Sequence, residues 1–456
     1  MADFEAAVED AELDEQRFDA IREAVADQDR LGLAALLAPL HAADVADVLE
    51  QLGGAERRDL LLLWSGEIDG DVLSELDETI REEVIESLPP DVVAEAVRDL
   101  DTDDVVDILE DLDAPAQGKI LDALTLIDRA AVEQAMSYPE GSAGRLMQRE
   151  VVVAPEHWTV GETIDHLREA ETLPDQFYHV ILVDPRMRPL GYVTLGRMLS
   201  ARRDVRLKDI TEDSFRTVEA TEEEADIAYI FNQYHLISCP VVDANGRLVG
   251  VITIDDAMNV LDEEHEEDML LLAGVGEEAS VLDGPFATVR QRLPWLVVNL
   301  FTASISAFVI SQFETTIVAI VALAALMPIV ASTGGVAGTQ SLAVAVRALA
   351  TRDLTSSNAR RVVLRELAAG AMNGLALALI IGLAGGLIFA DPLLGLVLGL
   401  AMIVNQVVAA LGGVLVPLTL GRLGLDPALA SGTFVTTLTD VMGFLAFLGL
   451  ATLVLL

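Results

Sequence analysis

Five apolar stretches, each long enough to cross a bilayer, lie in the C-terminal part of this chain, at about residues 294–311, 317–350, 367–389, 393–420 and 428–456. A spanning helix needs about 20 apolar residues. In hydrocarbon every backbone donor and acceptor must be satisfied within the segment, so these stretches have to be helices. The preceding sequence is of the opposite character. Residues 1–282 carry 67 acidic and 21 basic side chains, whereas residues 283–456 carry 7 and 8. A strongly acidic part is therefore joined near residue 283 to an almost uncharged membrane part. An acidic surface argues against nucleic acid as a partner, because phosphate contacts need clustered Lys and Arg. It suits cations, and it is also what a merely solvated face looks like.

Placement of the basic residues gives an orientation. Arg290 and Arg292 precede the first stretch, Arg347, at the end of the second, gathers with Arg352, Arg360, Arg361 and Arg365 between or at the margins of the second and third, and Arg422 lies between the fourth and fifth. The connections around Glu314 and at Asp391 and Pro392 have no Lys or Arg. Positive-inside counting then puts the N-terminus in the cytoplasm and the C-terminus outside the cell membrane. The opening MADFEAAVEDAELDEQ is acidic and polar, unlike a signal peptide. The one cysteine, Cys239, sits in an apolar run and is expected to be a buried thiol, with no disulfide framework.

Asp440 is the only ionisable residue from Ala428 to Leu456. At 1.5 Å per residue it lies roughly 18 Å from one end of that stretch and about 24 Å from the other, deep in the bilayer. A carboxylate there costs at least about 2.5–3.5 kcal/mol. It either faces water or an ion, or is protonated and bonded to a neighbouring helix. Thr433, Thr436, Thr437 and Asp440 share one helical face, and Asn405 and Gln406 add polar groups in the fourth stretch. Each Thr hydroxyl can alternatively bond its own helix. The second stretch is expected to be broken after Met327 and Pro328, because Gly334, Gly335 and Gly338 permit non-helical turns. Its freed carbonyls, with Thr339, Gln340 and Ser341, would then be hard-cation ligands. Glycines spaced by four (Gly370/Gly374, Gly382/Gly386, Gly395/Gly399) predict closely packed helices.

In the acidic part, Leu40, Leu52, Trp64, Leu76, Leu88, Leu100, Leu112 and Leu124 recur every twelve residues. That rhythm predicts an all-α superhelical array whose short helices bury their apolar sides on one another. Strand-like runs follow at residues 151–153, 179–184 and 190–194, and return at 238–243 and 248–253, separated by helical stretches. This predicts an α/β tandem. Next comes NVLDEEHEEDMLLLAGV, whose Glu263, Glu264, Glu267 and Asp268 repel one another at helical spacing. A divalent cation or salt would relieve them.

The strand–turn–strand–helix repeat, and PVVDANGRLVGVITIDD above all, resembles a pair of cystathionine-β-synthase (CBS) domains. That resemblance implies an adenine nucleotide such as ATP, with Thr253 and Asp256 fitting the T-x-x-D pattern. The first copy has Arg197 where the Asp is expected. The whole arrangement resembles the MgtE family of magnesium channels. It does so most specifically at Tyr138, Pro139 and Ser142 through Met147, at Met327 and Pro328 through Ser341, and at Asp426 and Pro427 through Thr439, Asp440 and Val441.

The resemblance implies four parts: an acidic helical-repeat domain (1–137), tandem CBS domains (138–261), an acidic connecting or plug helix (262–288) and a five-helix transmembrane domain (289–456). It implies a homodimeric Mg²⁺ channel in the lipid bilayer, with Asp440 at the ion site and Gly334, Gly335, Gly338, Thr339, Gln340, Asn405, Thr433, Thr436 and Thr437 lining the pore. Cytosolic Mg²⁺ would close it from regulatory carboxylates, for which Asp104, Asp107, Asp256, Glu264, Glu267 and Asp268 are the candidates. Val336 stands where the family usually has Asn. A proton-coupled transporter of Mg²⁺, Co²⁺ or Mn²⁺ working through Asp440 is the alternative. A membrane-anchored enzyme is not expected, since the chain has no P-loop, HExxH or G-x-S-x-G motif.

Overall fold

Helix caps in the N-terminal part recur with the twelve-residue period. Asp29, His41, Asp77, Pro89, Asp113 and Thr125 are N-caps, and Leu52, Leu88, Leu100 and Leu124 close helices. The Asp caps bond early backbone N–H groups, as Asp113 Oδ1 does from Ala116 at 2.9 Å, meeting donors that a helix start leaves orphaned. One unit of the rhythm is thus a short helix plus its turn. The computed structural model describes residues 13–64, 68–110, 112–170, 173–174, 176, 177–212, 215–276, 279–281, 284–429 and 431–456, so the acidic start, residues 1–12, lies outside the described residues.

Among the described residues ten α-helices form the array: α1 (Glu15–Ala26), α2 (Arg30–Leu37), α3 (Ala42–Gln51), α4 (Gly54–Trp64), α5 (Gly70–Ser74), α6 (Glu78–Ser87), α7 (Pro90–Ala96), α8 (Thr102–Glu110), α9 (Ala114–Ala123) and α10 (Leu126–Ala135). Leu52, Trp64, Leu76, Leu88 and Leu112 are buried in its single core, and Leu40, Leu100 and Leu124 pack against it. Recurrent side chains cap helix C-termini from the next units. Arg57 bonds the carbonyls of Leu49 and Leu52, Arg81 those of Ser74 and Leu76, and Gln117 those of Leu109 and Leu112. The superhelical reading holds.

Two copies of one small α/β unit follow, with α11 (Ala143–Leu146) between the array and the first strand. The first copy is β1 (Val153–Pro155), α12 (Val160–Glu169), β2 (His179–Val183), β3 (Pro189–Thr194) and α13 (Leu195–Ser200). The second is β4 (Val218–Glu219), α14 (Glu224–Tyr234), β5 (Ser238–Val242), β6 (Leu248–Thr253) and α15 (Ile254–Ala273). In each sheet the first strand is parallel to the second and the second antiparallel to the third. Even the register shift repeats, at Leu182/Val183 and Val241/Val242. β4 has two residues, too few to show in the sequence pattern. Cys239 is buried, as expected, and burial pushes its thiol up to about 12.

The chain divides after Asp262, within α15, into two compact units. Among the described residues, the second unit has five helices long and apolar enough to cross a membrane. They are α16 (Pro285–Ser311), α18 (Ala322–Ala350), α19 (Ala359–Ile388), α20 (Pro392–Arg422) and α21 (Ser431–Leu455), with the short α17 (Glu314–Ala319) before α18. The acidic helix α15 ends at Ala273, earlier than the segment 262–288 assigned to it from the sequence.

One expectation is overturned. The second stretch is not broken after Pro328: α18 runs unbroken from Ala322 to Ala350, and the interruption falls earlier, between α17 and α18. Pro328 removes one donor near the helix start. Opening the backbone further would leave several polar groups unpaired in hydrocarbon, each at a cost of several kcal/mol. The glycines serve close approach instead. A Cβ on Gly338 would lie 2.6 Å from Val435 Cγ1, and one on Gly334 would overlap the Asn405 amide.

A candidate ion-binding groove

Because α18 is continuous, its residues 328, 331, 332, 335, 336, 339, 340 and 343 fall on one face, and this face meets Thr436 and Asp440 of α21 across a groove of about 760 Å³. Asp440 is half-buried there, with Ser332, Thr339, Gln340 and Thr436 as the other polar walls. The hydroxyl of Thr339 donates to Gly335 O at 3.0 Å, and that of Thr436 to Gly432 O at 2.8 Å. Their protons are spent on the helix, which leaves oxygen lone pairs as acceptors. Such oxygens suit the hydrogens of a hydrated cation, or the cation itself.

Four of the nine sequence candidates for the lining, Gly335, Thr339, Gln340 and Thr436, are in these walls. The other five are not. Gly334 and Gly338 are buried against Asn405 and Val435; Asn405 is itself fully buried. Thr437 turns its hydroxyl to Thr433 O at 2.7 Å, and neither of these two reaches the groove wall. Ser332 was missed. It lies three residues before Gly335 and seven before Thr339, so helical periodicity across the supposed break would have found it.

The regulatory candidates fall in two places. In the first unit, burial pushes the Asp104 carboxyl up to about 7, helped by Asp256, Asp101, Asp107 and Asp71. Asp256 rises to about 6 through burial, with Asp255 and Asp101 adding to it and a 2.6 Å bond from Thr253 Oγ1 opposing it. Asp103, 8% exposed and absent from the sequence candidates, is held well above the carboxylate range by burial and by Asp256. Asp107 instead accepts from Arg81 Nη1 at 2.8 Å.

In the second unit, burial raises Asp268 to about 6, with Asp426 and Glu264 as its charged neighbours and His265 opposing. The end of α15 is anchored there: Leu271 packs with Leu342 and Val346 of α18 and with Ala428 and Val435. Glu264 and Glu267 lie on the same helix. Among the described residues, no three Asp, Glu, His or Cys side chains converge closely enough to hold a bare metal ion.

Thr253 and Asp256 stand where β6 passes into α15, their side chains bonded to each other. The corresponding Thr194 caps α13, and Arg197, in the position of the Asp, pairs with Glu212 at 2.9 Å.

Comparison with known proteins accounts for each part of this architecture. Residues 327–450 match the MgtE divalent cation transporter family, residues 40–141 the MgtE intracellular N domain, and residues 143–204 and 207–263 the CBS domain. The magnesium transporter MgtE of Thermus thermophilus is 36% identical over 341 residues, covering 74% of this chain and 75% of that protein. The magnesium transporter MgtE of Enterococcus faecalis is 33% identical over 322 residues, covering 71% of each. Among solved structures, the cytosolic domain of the Mg²⁺ channel MgtE in complex with ATP is 30% identical, with a TM-score of 0.50, and covers 53% of this chain and 99% of that one. An N-terminal helical array, a CBS pair and five long apolar helices, in this order and at this identity, mean that the chain is a multi-pass membrane protein belonging to the MgtE family.

Proposed function

We propose that this protein carries Mg²⁺ across the cell membrane through a homodimeric channel, with the Asp440 groove of each subunit forming half of the path. The observation that carries this reading is the groove itself: the only carboxylate of α21 lies at membrane depth among hydroxyl and amide oxygens, on an open face. Mg²⁺ gives up water reluctantly and is usually held through its waters by one or two carboxylates. Two Asp440 side chains from a symmetric pair would attract the hydrated ion without trapping it, as conduction requires. With the N-terminus in the cytoplasm, a potential of about 100 mV drives each divalent ion inward with about 4.6 kcal/mol.

The acidic sites supply closure. Carboxylates that repel one another, part-buried Asp104 with part-buried Asp256 and part-buried Asp268 with exposed Asp426, favour a cation between them, and a compact closed state is stabilised when internal Mg²⁺ is high. Glu264 and Glu267 join Asp268 in that role. Asp107, already paired with Arg81, adds to the field around Asp104. Thr253 and Asp256 are the nucleotide candidates, a reading supported by the relative whose cytosolic domain was solved with ATP.

The test is uptake of Mg²⁺ into proteoliposomes holding the full chain, under an imposed potential. Asp440→Ala should abolish uptake with the protein still folded; undiminished uptake would refute the assignment. A pH gradient that drives uptake without any potential would favour the proton-coupled alternative.

A further inference from the structure

Asn405 of α20 is fully buried, and its side chain reaches both helices that build the groove. Its Nδ2 donates to Val330 O of α18 at 2.8 Å, while the next residue, Gln406, donates from Nε2 to Thr333 O at 3.2 Å. Those carbonyls flank the wall residues Ala331 and Ser332. On the other side, a Cβ on Gly443 of α21 would come within 2.8 Å of Asn405 Nδ2, and Gly443 is three residues beyond Asp440. The amide therefore fills the slot between α18 and α21. Its Oδ1 has no hydrogen-bond partner among the described residues. A buried acceptor left so costs about 1–3 kcal/mol, which a leucine of the same branching would not. Stability alone does not account for an amide here.

We propose that Asn405 is a positioning residue for ion selection. It fixes the spacing of α18 and α21, and so the distance at which Asp440 faces Ser332, Gly335 and Thr339. The inference rests on the groove being the ion path, and it adds a determinant that lies behind the wall and never touches the ion. A few tenths of an ångström in that spacing change how a hydrated ion fits, whereas the charge available to attract it stays the same.

The experiment compares Asn405→Leu, Gly443→Ala and Asp440→Ala with the unaltered full chain in proteoliposomes, reading Mg²⁺ and Mn²⁺ uptake and the thermal unfolding midpoint. Asn405→Leu removes the bond to Val330 and the orphaned acceptor together but brings a bulkier side chain into a filled slot, so the midpoint should stay close to that of the unaltered chain. Gly443→Ala presses the same slot from the opposite helix. Both should shift the Mg²⁺-to-Mn²⁺ uptake ratio and the half-saturating Mg²⁺ concentration by about tenfold, short of the roughly hundredfold effect that a full 1 Å misplacement of a positioned group can have. If uptake falls only in proportion to folded protein, with the ratio unchanged, Asn405 has a packing role alone and the proposal fails. Unaltered ratio and affinity in both variants overturn it as well. Asp440→Ala separates the two readings: normal uptake there refutes the groove as the path, whereas its loss together with unshifted Asn405 and Gly443 variants refutes only the positioning role.

Discussion

Arg81 and Asp107, 26 residues apart, form an ion pair at 2.8 Å, and Arg57 and Glu83, also 26 apart, repeat it at 2.6 Å two units earlier in the array. The partners are unequal: the Arg81 side chain is 6% exposed and that of Asp107 59%. An ion pair with one solvated partner contributes about 0–1 kcal/mol. The carbonyls of Ser74 and Leu76 that Arg81 caps are more costly to leave unpaired, at about 1–3 kcal/mol each. Arg81→Met should therefore destabilise the array by roughly 2–5 kcal/mol, and Asp107→Asn by less than about 1 kcal/mol. Denaturant unfolding of the two variants measures both, and equal losses would show that the pair, not the capping, matters.

The same residues show how much of the fold was legible. The twelve-residue rhythm announced the array because one helix and one turn fill that period, and a leucine must close each helix onto a shared core. The capping by Arg57 and Arg81 was invisible, since it joins residues of different units through carbonyls that carry no sequence signal. In the membrane part the apolar runs gave the helices. The glycines of α18 misled because Gly permits both a turn and close packing, and only the neighbouring Asn405 and Val435 decide between them. Once the break was assumed, the stripe from Ser332 to Gln340 could not be assembled. Asp440 needed no such help, because a carboxylate at membrane depth is informative by itself.

Asp104 and Asp256 set a pH dependence of stability. Their folded values, about 7 and about 6, lie above those of the free side chains, mainly through burial. The folded state therefore prefers the protonated forms, and this contribution is present below about pH 4 and lost as pH rises through 6 to 7. With a chelator present, the thermal midpoint should fall between pH 5.5 and 7.5, and Mg²⁺ should restore it at pH 7.5. For a domain of this size the scale is roughly 2–4 °C per kcal/mol. Asp104→Asn should flatten the slope and weaken the Mg²⁺ effect. A slope unchanged by that substitution would remove Asp104 from the account.

Asp268 links the acidic helix to the segment that begins α21. Its carboxyl, raised to about 6, faces Asp426, whose Oδ1 accepts the backbone N–H groups of Ala428 at 2.5 Å and Leu429 at 3.2 Å. Charge repulsion there acts directly on the start of the helix that carries Asp440. If internal Mg²⁺ closes the path through this helix, as proposed above, replacing Glu264, Glu267 and Asp268 by Gln, Gln and Asn should leave it conducting at high internal Mg²⁺. Patch-clamp recording with stepped internal Mg²⁺ reads this, and unchanged inhibition would count against the helix as sensor.

Two glycines in the seams of α18, Gly413 packed against it and Gly335 within it, should respond oppositely to one methyl group. A Cβ on Gly413 of α20 would lie 2.6 Å from Ser341 Cβ and 2.7 Å from Gly338 O, in a buried seam where neither backbone can yield cheaply. Overpacking of this kind costs about 1–3 kcal/mol, more than the roughly 1 kcal/mol that alanine gains over glycine inside a helix. Gly413→Ala should lower the unfolding midpoint. A Cβ on Gly335 would meet nothing nearer than Thr436 Cγ2 at 3.9 Å, so Gly335→Ala should hold or raise the midpoint. Yet that methyl enters the groove opposite Asp440, where a hydrated ion needs the room, and Mg²⁺ uptake should fall severalfold. Stability measured beside uptake distinguishes them: a stable Gly335→Ala protein with full uptake would mean that this wall of the groove is not wet.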